Sequence, residues 1–285
     1  QTQEFLDAMG ARRKQMGKHF GKERVAVSFD ELADRYRARS MMAVLLNSDD
    51  ETQSGIPPAP NRLIGDAVAK HPDTFLGFCG VDPHKGAAAL DEVRRAHGEY
   101  GVLGVGELNA TRQKFRPNDP QFYPLWELCA TLGLVVMFHC GYPGAGAGTP
   151  GGMGYKIDLC RPVPYLDDIA ADFPELKIIA AHPAWPWHLE SLAAAWHKSN
   201  YYMDLSGWAP KYFPPDVVHY ANSIIPRKML FGSDWPVIEP DRWIEEFDAL
   251  DVKPASRQRI MLDNAVELFG LSAPAGAASG PGVTA

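Results

Sequence analysis

With 285 residues, 46% of them hydrophobic and 22% charged, the chain has enough material for one large soluble domain with a sizeable core. A formal charge of −7 with no cluster of lysines and arginines argues against a nucleic-acid partner, and no apolar run reaches membrane-spanning length. The four cysteines (Cys79, Cys129, Cys140 and Cys160) lack CxxC or zinc-finger spacing, and no secretory signal opens the chain, so reduced buried thiols in a cytoplasmic protein are expected.

Taken in chain order, the sequence opens on a helical pattern at Gln1-Thr2-Gln3-Glu4-Phe5-Leu6 with no strand ahead of it. Short apolar, β-branched segments then recur, each followed by a turn signal and a helix-period stretch. The predicted strands are Met42–Leu46, Phe75–Val81, Val102–Leu108, Leu134–His139, Lys177–His182, Tyr201–Leu205 and Lys228–Gly232. Between them lie amphipathic segments at Ala87–Tyr100, Phe122–Thr131, Leu166–Asp172, His188–Lys198 and Asp241–Leu250, with a last helix at Ser256–Phe269. Alternating strands and helices with nearly continuous apolar strands imply a parallel sheet buried on both faces. Seven strands are one short of a closed (β/α)8 barrel, and no GxGxxG follows an early strand to favour a doubly wound sheet. The expected organisation is an α/β barrel domain over residues 1–271 and an Ala/Gly/Pro-rich disordered tail over residues 272–285.

Polar residues gather at one recurrent place, the C-terminal ends of the strands: Asn47, Asp49, Asp82, Glu107, Asn109, His139, His182, Asp204, Ser206 and Asp234. In a barrel these ends form the face that carries active sites. Any one of them could be a cap or a loop residue. Two strands closing on histidine, with a carboxylate after the last strand, supply the N/O donor set of a catalytic metal site.

At these residues the chain resembles the amidohydrolase superfamily, in the amidohydrolase-2 branch that holds metal-dependent hydrolases and the aminocarboxymuconate-semialdehyde decarboxylase group. The likeness runs from about Val44 to Leu271. It rests on His139 closing the fifth strand in the family's count, His182 closing the sixth, and Gly232-Ser233-Asp234-Trp235-Pro236 after the eighth. The helix Ile260-Met261-Leu262-Asp263-Asn264-Ala265 supports it. The family's first strand ends in a His-x-His pair, which has no counterpart here; the first visible strand matches the family's second, so the first strand is expected to be missing from this chain.

The resemblance implies that His139, His182, Asp234 and Glu107 serve one or two divalent metals, zinc foremost with manganese and iron as alternatives. Glu107 stands where two-metal members carry a bridging carboxylate, and a salt bridge to a loop arginine is its alternative. Asp234 would bind metal and shuttle a proton, and His182 would be either a ligand or a free acid/base. For substrate contacts, the residues suggest Arg161 as a carboxylate clamp, Trp185 with Trp187 as an aromatic wall, Trp208 as a residue carried to the barrel mouth, and Lys211 as an anion contact. The Gly-rich stretch Gly144–Gly154 lacks Gly-Lys-Ser/Thr and reads as a loop over the barrel mouth rather than a phosphate cradle.

The leading expectation is hydrolysis of a carbonyl in a small organic acid, ester, lactone or acyl thioester. His182-Pro183-Ala184-Trp185-Pro186-Trp187 departs from the decarboxylase pattern, which together with Glu107 favours hydrolysis, and is similar to aromatic β-ketoacyl-CoA hydrolases. Non-oxidative decarboxylation of an aromatic or muconate-type acid is the alternative, and a non-catalytic barrel subunit is the alternative of another class. The partners expected are a small-molecule substrate and, from the family, a second copy in a homodimer, with neither nucleic acid nor membrane.

Overall fold

A computed structural model describes residues 26–272. Its strands are β1 Ala43–Leu45, β2 Phe75–Cys79, β3 Gly104–Leu108, β4 Val135–His139, β5 Lys177–Ala181, β6 Tyr201–Asp204 and β7 Met229–Leu230. All neighbours pair parallel, in the order of the chain, into a single seven-stranded sheet. Every predicted strand is present, shortened at its ends. The last is cut to two residues because the Phe231 N–H leaves the ladder and donates to the Ile260 carbonyl at 2.9 Å.

Alternation along the strands sorts the apolar residues into two sets. Val105, Val136, Phe138, Ile178, Ala180, Tyr201, Met203 and Met229 pack outward beneath the helices. Val44, Phe78, Val135, Met137, Ile179, Tyr202 and Leu230 pack against one another on the opposite face, with Leu268 and Phe269. A parallel sheet apolar on both faces curls around its inner set, and βα crossovers cover the outside.

The helices Ala87–Tyr100, Tyr123–Thr131, Tyr165–Asp172, His188–His197 and Pro240–Asp248 match the expected ones within two residues. Phe29–Arg37, Arg62–Lys70 and Pro215–Asn222 are further helices. The last helical run is not uniform: Pro254–Gln258 is followed by a π segment at Arg259–Asp263 and then Asn264–Phe269. Asn264 explains that motif. Buried, it donates from Nδ2 to the carbonyls of Pro226 and Met229, both at 2.7 Å, and so ties the run to β7. The Gln1–Leu6 pattern and residues 273–285 of the tail lie outside the described residues. No helix among the described residues is long and apolar enough to cross a membrane.

Trp243 secures the C-terminal ends of β6 and β7. It is fully buried, stacks on Phe247 at 4.7 Å, meets Phe231 edge-on at 4.9 Å and donates to the Leu205 carbonyl at 3.2 Å. Trp243→Ala removes that packing and leaves a cavity, so a loss of about 3–5 kcal/mol in unfolding free energy is expected, measured by chemical denaturation.

Candidate active site

Glu107, His139 and His182 come together at the C-terminal ends of β3, β4 and β5. On β4, Val135 and Met137 face inward, and His139 continues that parity. On β5, Ile179 faces inward, so alternation alone would turn His182 outward. A left-handed backbone at His182 (φ 70°) breaks the alternation and re-aims the ring. On β3 a register irregularity between Val105 and Leu108 does the same for Glu107. Gly106 permits it: its φ is 141°, and a Cβ there would stand 2.6 Å from the Met137 carbonyl oxygen.

His139 Nδ1 lies 2.7 Å from Glu107 Oε1 and 3.0 Å from His182 Nε2. His182 Nδ1 sits 3.0 Å from the Ser206 carbonyl and 2.9 Å from Ser206 Oγ. A carbonyl only accepts, so Nδ1 of His182 carries a hydrogen and Nε2 is the atom presented to the cluster. Asp204 braces this arrangement, accepting from the His182 N–H at 3.1 Å and the Ser206 N–H at 2.7 Å. Asp234, also left-handed (φ 60°), lines the same cavity beyond β7. Several left-handed non-glycine residues at one rim are strained, at about 1–3 kcal/mol each, and such strain concentrates at functional sites.

Burial opposes charge on His182, yet the carboxylates of Glu107, Asp234 and Asp204 together carry its pKa above 6.5. Burial dominates at His139 and pushes it below 6.5, despite Glu107. For Glu107 burial acts upward, but the two imidazoles and Arg112 outweigh it and hold the carboxyl below the usual range.

The donor set fits a divalent metal. Ligand atoms of Glu107, His139 and His182 lie within 4.8 Å of one another. The second ring nitrogen of His139, Nε2, is buried without a hydrogen-bond partner. Leaving such an atom unsatisfied costs about 1–3 kcal/mol, which coordination would offset.

The cluster opens into a cavity of about 1840 Å³, whose lining includes Glu107, Asn109, Arg112, His139, His182, Asp204 and Asp234 among the described residues. Pro143–Ala147, Thr149, Met153 and Tyr155 also line it, so the Gly-rich loop does border the cavity.

The four expected substrate contacts are placed elsewhere. Arg161 is exposed and forms a forked ion pair with Glu190, with Nε 2.9 Å from each carboxylate oxygen. Trp185 packs on Tyr142 and on Trp208, with ring centroids 6.1 and 5.8 Å away, because the loops after β4 and β5 are joined through the Tyr142 N–H and the Trp185 carbonyl at 2.7 Å. Lys211 lies 3.7 Å from Glu246 and over the Tyr212 ring. None of the four borders the cavity. Other strand-end residues build loops: Asn47 donates to the Ala59 carbonyl, Asp82 accepts from the Thr52 and His84 N–H groups, and Asn109 caps the turn that carries Arg112. Arg112 itself was legible only as the residue five places beyond Glu107 in the same βα loop.

The amidohydrolase family model, of the amidohydrolase-2 branch, matches residues 16–271. The chain belongs to the amidohydrolase family. Gamma-resorcylate decarboxylase from Polaromonas sp. (strain JS666 / ATCC BAA-500) is 23% identical over 249 residues, which are 74% of this chain and 75% of that protein. The TIM-barrel protein Bb4693 from Bordetella bronchiseptica has a TM-score of 0.71 at 21% identity, covering 93% of this chain and 92% of that one. A dihydroxybenzoic acid decarboxylase from Polaromonas sp. JS666, solved with manganese and the inhibitor 2-nitroresorcinol, has a TM-score of 0.61 at 19% identity over 94% of each chain. These structures establish the TIM-barrel fold, of which the described residues contribute seven strands. This amidohydrolase is an enzyme of its superfamily, and the gamma-resorcylate relative is a decarboxylase.

Two outcomes follow for the isolated amidohydrolase. In the metal-free protein, NMR titration should show His182 titrating above 6.5 and His139 below it. Because the folded pKa of His182 is raised, the stability it lends is complete below 6.5 and is lost as pH rises through the folded value. A Cβ at Gly207 (φ 72°) would stand 2.6 Å from His182 Nδ1, so Gly207→Ala must displace the ring. The raised titration of His182, followed by NMR, should fall back toward 6.5 as the ring is moved from Ser206 and the carboxylates.

Proposed function

We propose that the protein is a metal-dependent, non-oxidative decarboxylase of an aromatic or muconate-type acid. One observation carries the reading: a partly buried Glu107–His139–His182 donor cluster opens into the barrel cavity of a chain whose curated relative is an aromatic-acid decarboxylase. The hydrolase expectation rested on Glu107 and on the residues after His182, among which Trp185 packs on Tyr142 and Trp208 rather than lining the cavity.

His139, Glu107 and Asp234 would hold the ion. The ligands offered are nitrogen and oxygen only, since burial pushes the neighbouring Cys140 thiol well above its ordinary pKa and keeps it from acting as a thiolate. That set suits manganese, which the Polaromonas structure holds, in place of the zinc expected first. When bound, such an ion supplies positive charge that orients the substrate's oxygens and draws electrons from the breaking bond.

The protein's own part is the proton. Cleavage of the ring–carboxylate bond releases CO2 and leaves the electron pair on the ring carbon, which must take one proton. His182 is placed to deliver it from Nε2: Ser206 fixes Nδ1, and neighbouring carboxylates raise the proton affinity of the ring against the effect of burial. Apolar walls at Met137, Ile179 and Phe231 keep water from the ring face.

The test is an assay of CO2 release from 2,6-dihydroxybenzoate and related acids by manganese-loaded protein, set against thiol release from aromatic acyl thioesters. CO2 release that is abolished by EDTA and restored by manganese is expected. His182→Asn should lower kcat about 100-fold or more with manganese content unchanged. Thiol release without CO2 would sink the proposal.

A further inference from the structure

Arg112 lies on the short helix Ala110–Gln113, directly after β3 and five residues beyond Glu107. That helix is fixed from both sides. Asn109 Oδ1 accepts from the Arg112 N–H at 3.0 Å, and Gln113 bonds the Asp49 and Val81 carbonyls at 2.7 and 2.9 Å. Thr111 turns the other way, to the Lys156 carbonyl at 2.9 Å. Thr111 and Gln113 are thus committed to the protein, and Arg112 is delivered to the cavity.

Its side chain is 21% exposed, and its own bonds are long: Nε to Asp50 at 3.4 Å and Nη2 to Ser48 at 3.3 Å. Bonds at that length are weak, and Nη1 makes none among the described residues. The other cavity-lining cations among the described residues are Arg39 and Lys114. Arg39 is occupied by both oxygens of Asp241, at 2.6 and 2.5 Å, and by the Arg35 carbonyl at 2.7 Å. Lys114 stands exposed beyond the helix end. Arg112 is therefore the half-buried guanidinium with donors to spare, close enough for its charge to act on Glu107 and His139.

We propose that Arg112 is the anion anchor of this cavity, receiving a second anionic group of the substrate, a carboxylate or phenolate, while the reacting carboxylate lies at the Glu107–His139–His182 cluster. A planar guanidinium takes a carboxylate through two parallel N–H donors, which the poorly held fork of Arg112 can supply and an ammonium cannot. The assignment of the reacting group rests on the decarboxylase reading; the anchor itself does not. It makes the preferred substrate a dianionic acid.

The experiment is calorimetric titration with isophthalate and with benzoate, in manganese-loaded and in metal-free protein. Isophthalate should bind about tenfold tighter than benzoate, and Arg112→Gln should lower isophthalate affinity about tenfold with benzoate within about twofold. Thermal midpoint and manganese stoichiometry should match the parent. If Arg112→Gln does not fold, Arg112→Lys decides: a drop for isophthalate alone supports the anchor, and no drop overturns it. Equal binding of the two acids by the parent, or a preference that survives in Arg112→Gln, also overturns it. Should CO2 release be missing while the Arg112-dependent preference persists without metal, the decarboxylase reading fails and the anchor stands.

Discussion

A hydrogen-bonded chain runs from Ser206 through His182 and His139 to Glu107, and the arrangement of the active end of this barrel follows from it. Two imidazoles and a carboxylate are costly to bury unless each polar atom meets a partner. Three of the four ring nitrogens do. The fourth, His139 Nε2, does not, which leaves the cluster one open donor rather than a closed network. Keeping it poised demands local distortion: positive φ at His182 and Asp234, the shifted register at Glu107, and glycines at positions 106 and 207 where a side chain would collide.

Rigid surroundings hold this strain in place. Trp243 clamps the segments after β6 and β7, Asp204 bonds the backbone on either side of the site, and Gln113 stitches the loop after β3 to those after β1 and β2. The same stitching that fixes Glu107 also orients Arg112. Positive and negative groups thus face one another across one cavity, an arrangement suited to an acidic substrate rather than a neutral one.

Reaction class is the property that strand-end residues define least. A barrel with histidines and a carboxylate at its strand ends supports hydrolysis and decarboxylation alike, since both need a held cation and a movable proton. The segment after His182 favours a hydrolase only through its departure from the decarboxylase pattern. The Trp185 ring in that segment packs on Tyr142 and Trp208, and the gamma-resorcylate relative is a decarboxylase. Arg161 is a parallel case: an arginine in a loop fits a substrate clamp, but Glu190, on the helix His188–His197 beyond β5, is the partner it meets.

By itself the sequence determined the alternating strands and helices, because apolar runs and turn signals are local, and it marked the strand ends as the chemical face. It also named His139, His182, Asp234 and Glu107, since polar residues closing apolar strands stand out without any coordinates. Their geometry was a different matter. A strict two-residue alternation would have turned His182 and Glu107 out of the barrel, and only backbone irregularities inside the folded sheet bring them in. Arg112, too, became visible only when the capping and stitching of its short helix set its direction. Which polar side chains share a cavity depends on contacts between segments far apart in the chain, and those are settled by tertiary packing rather than by any local pattern.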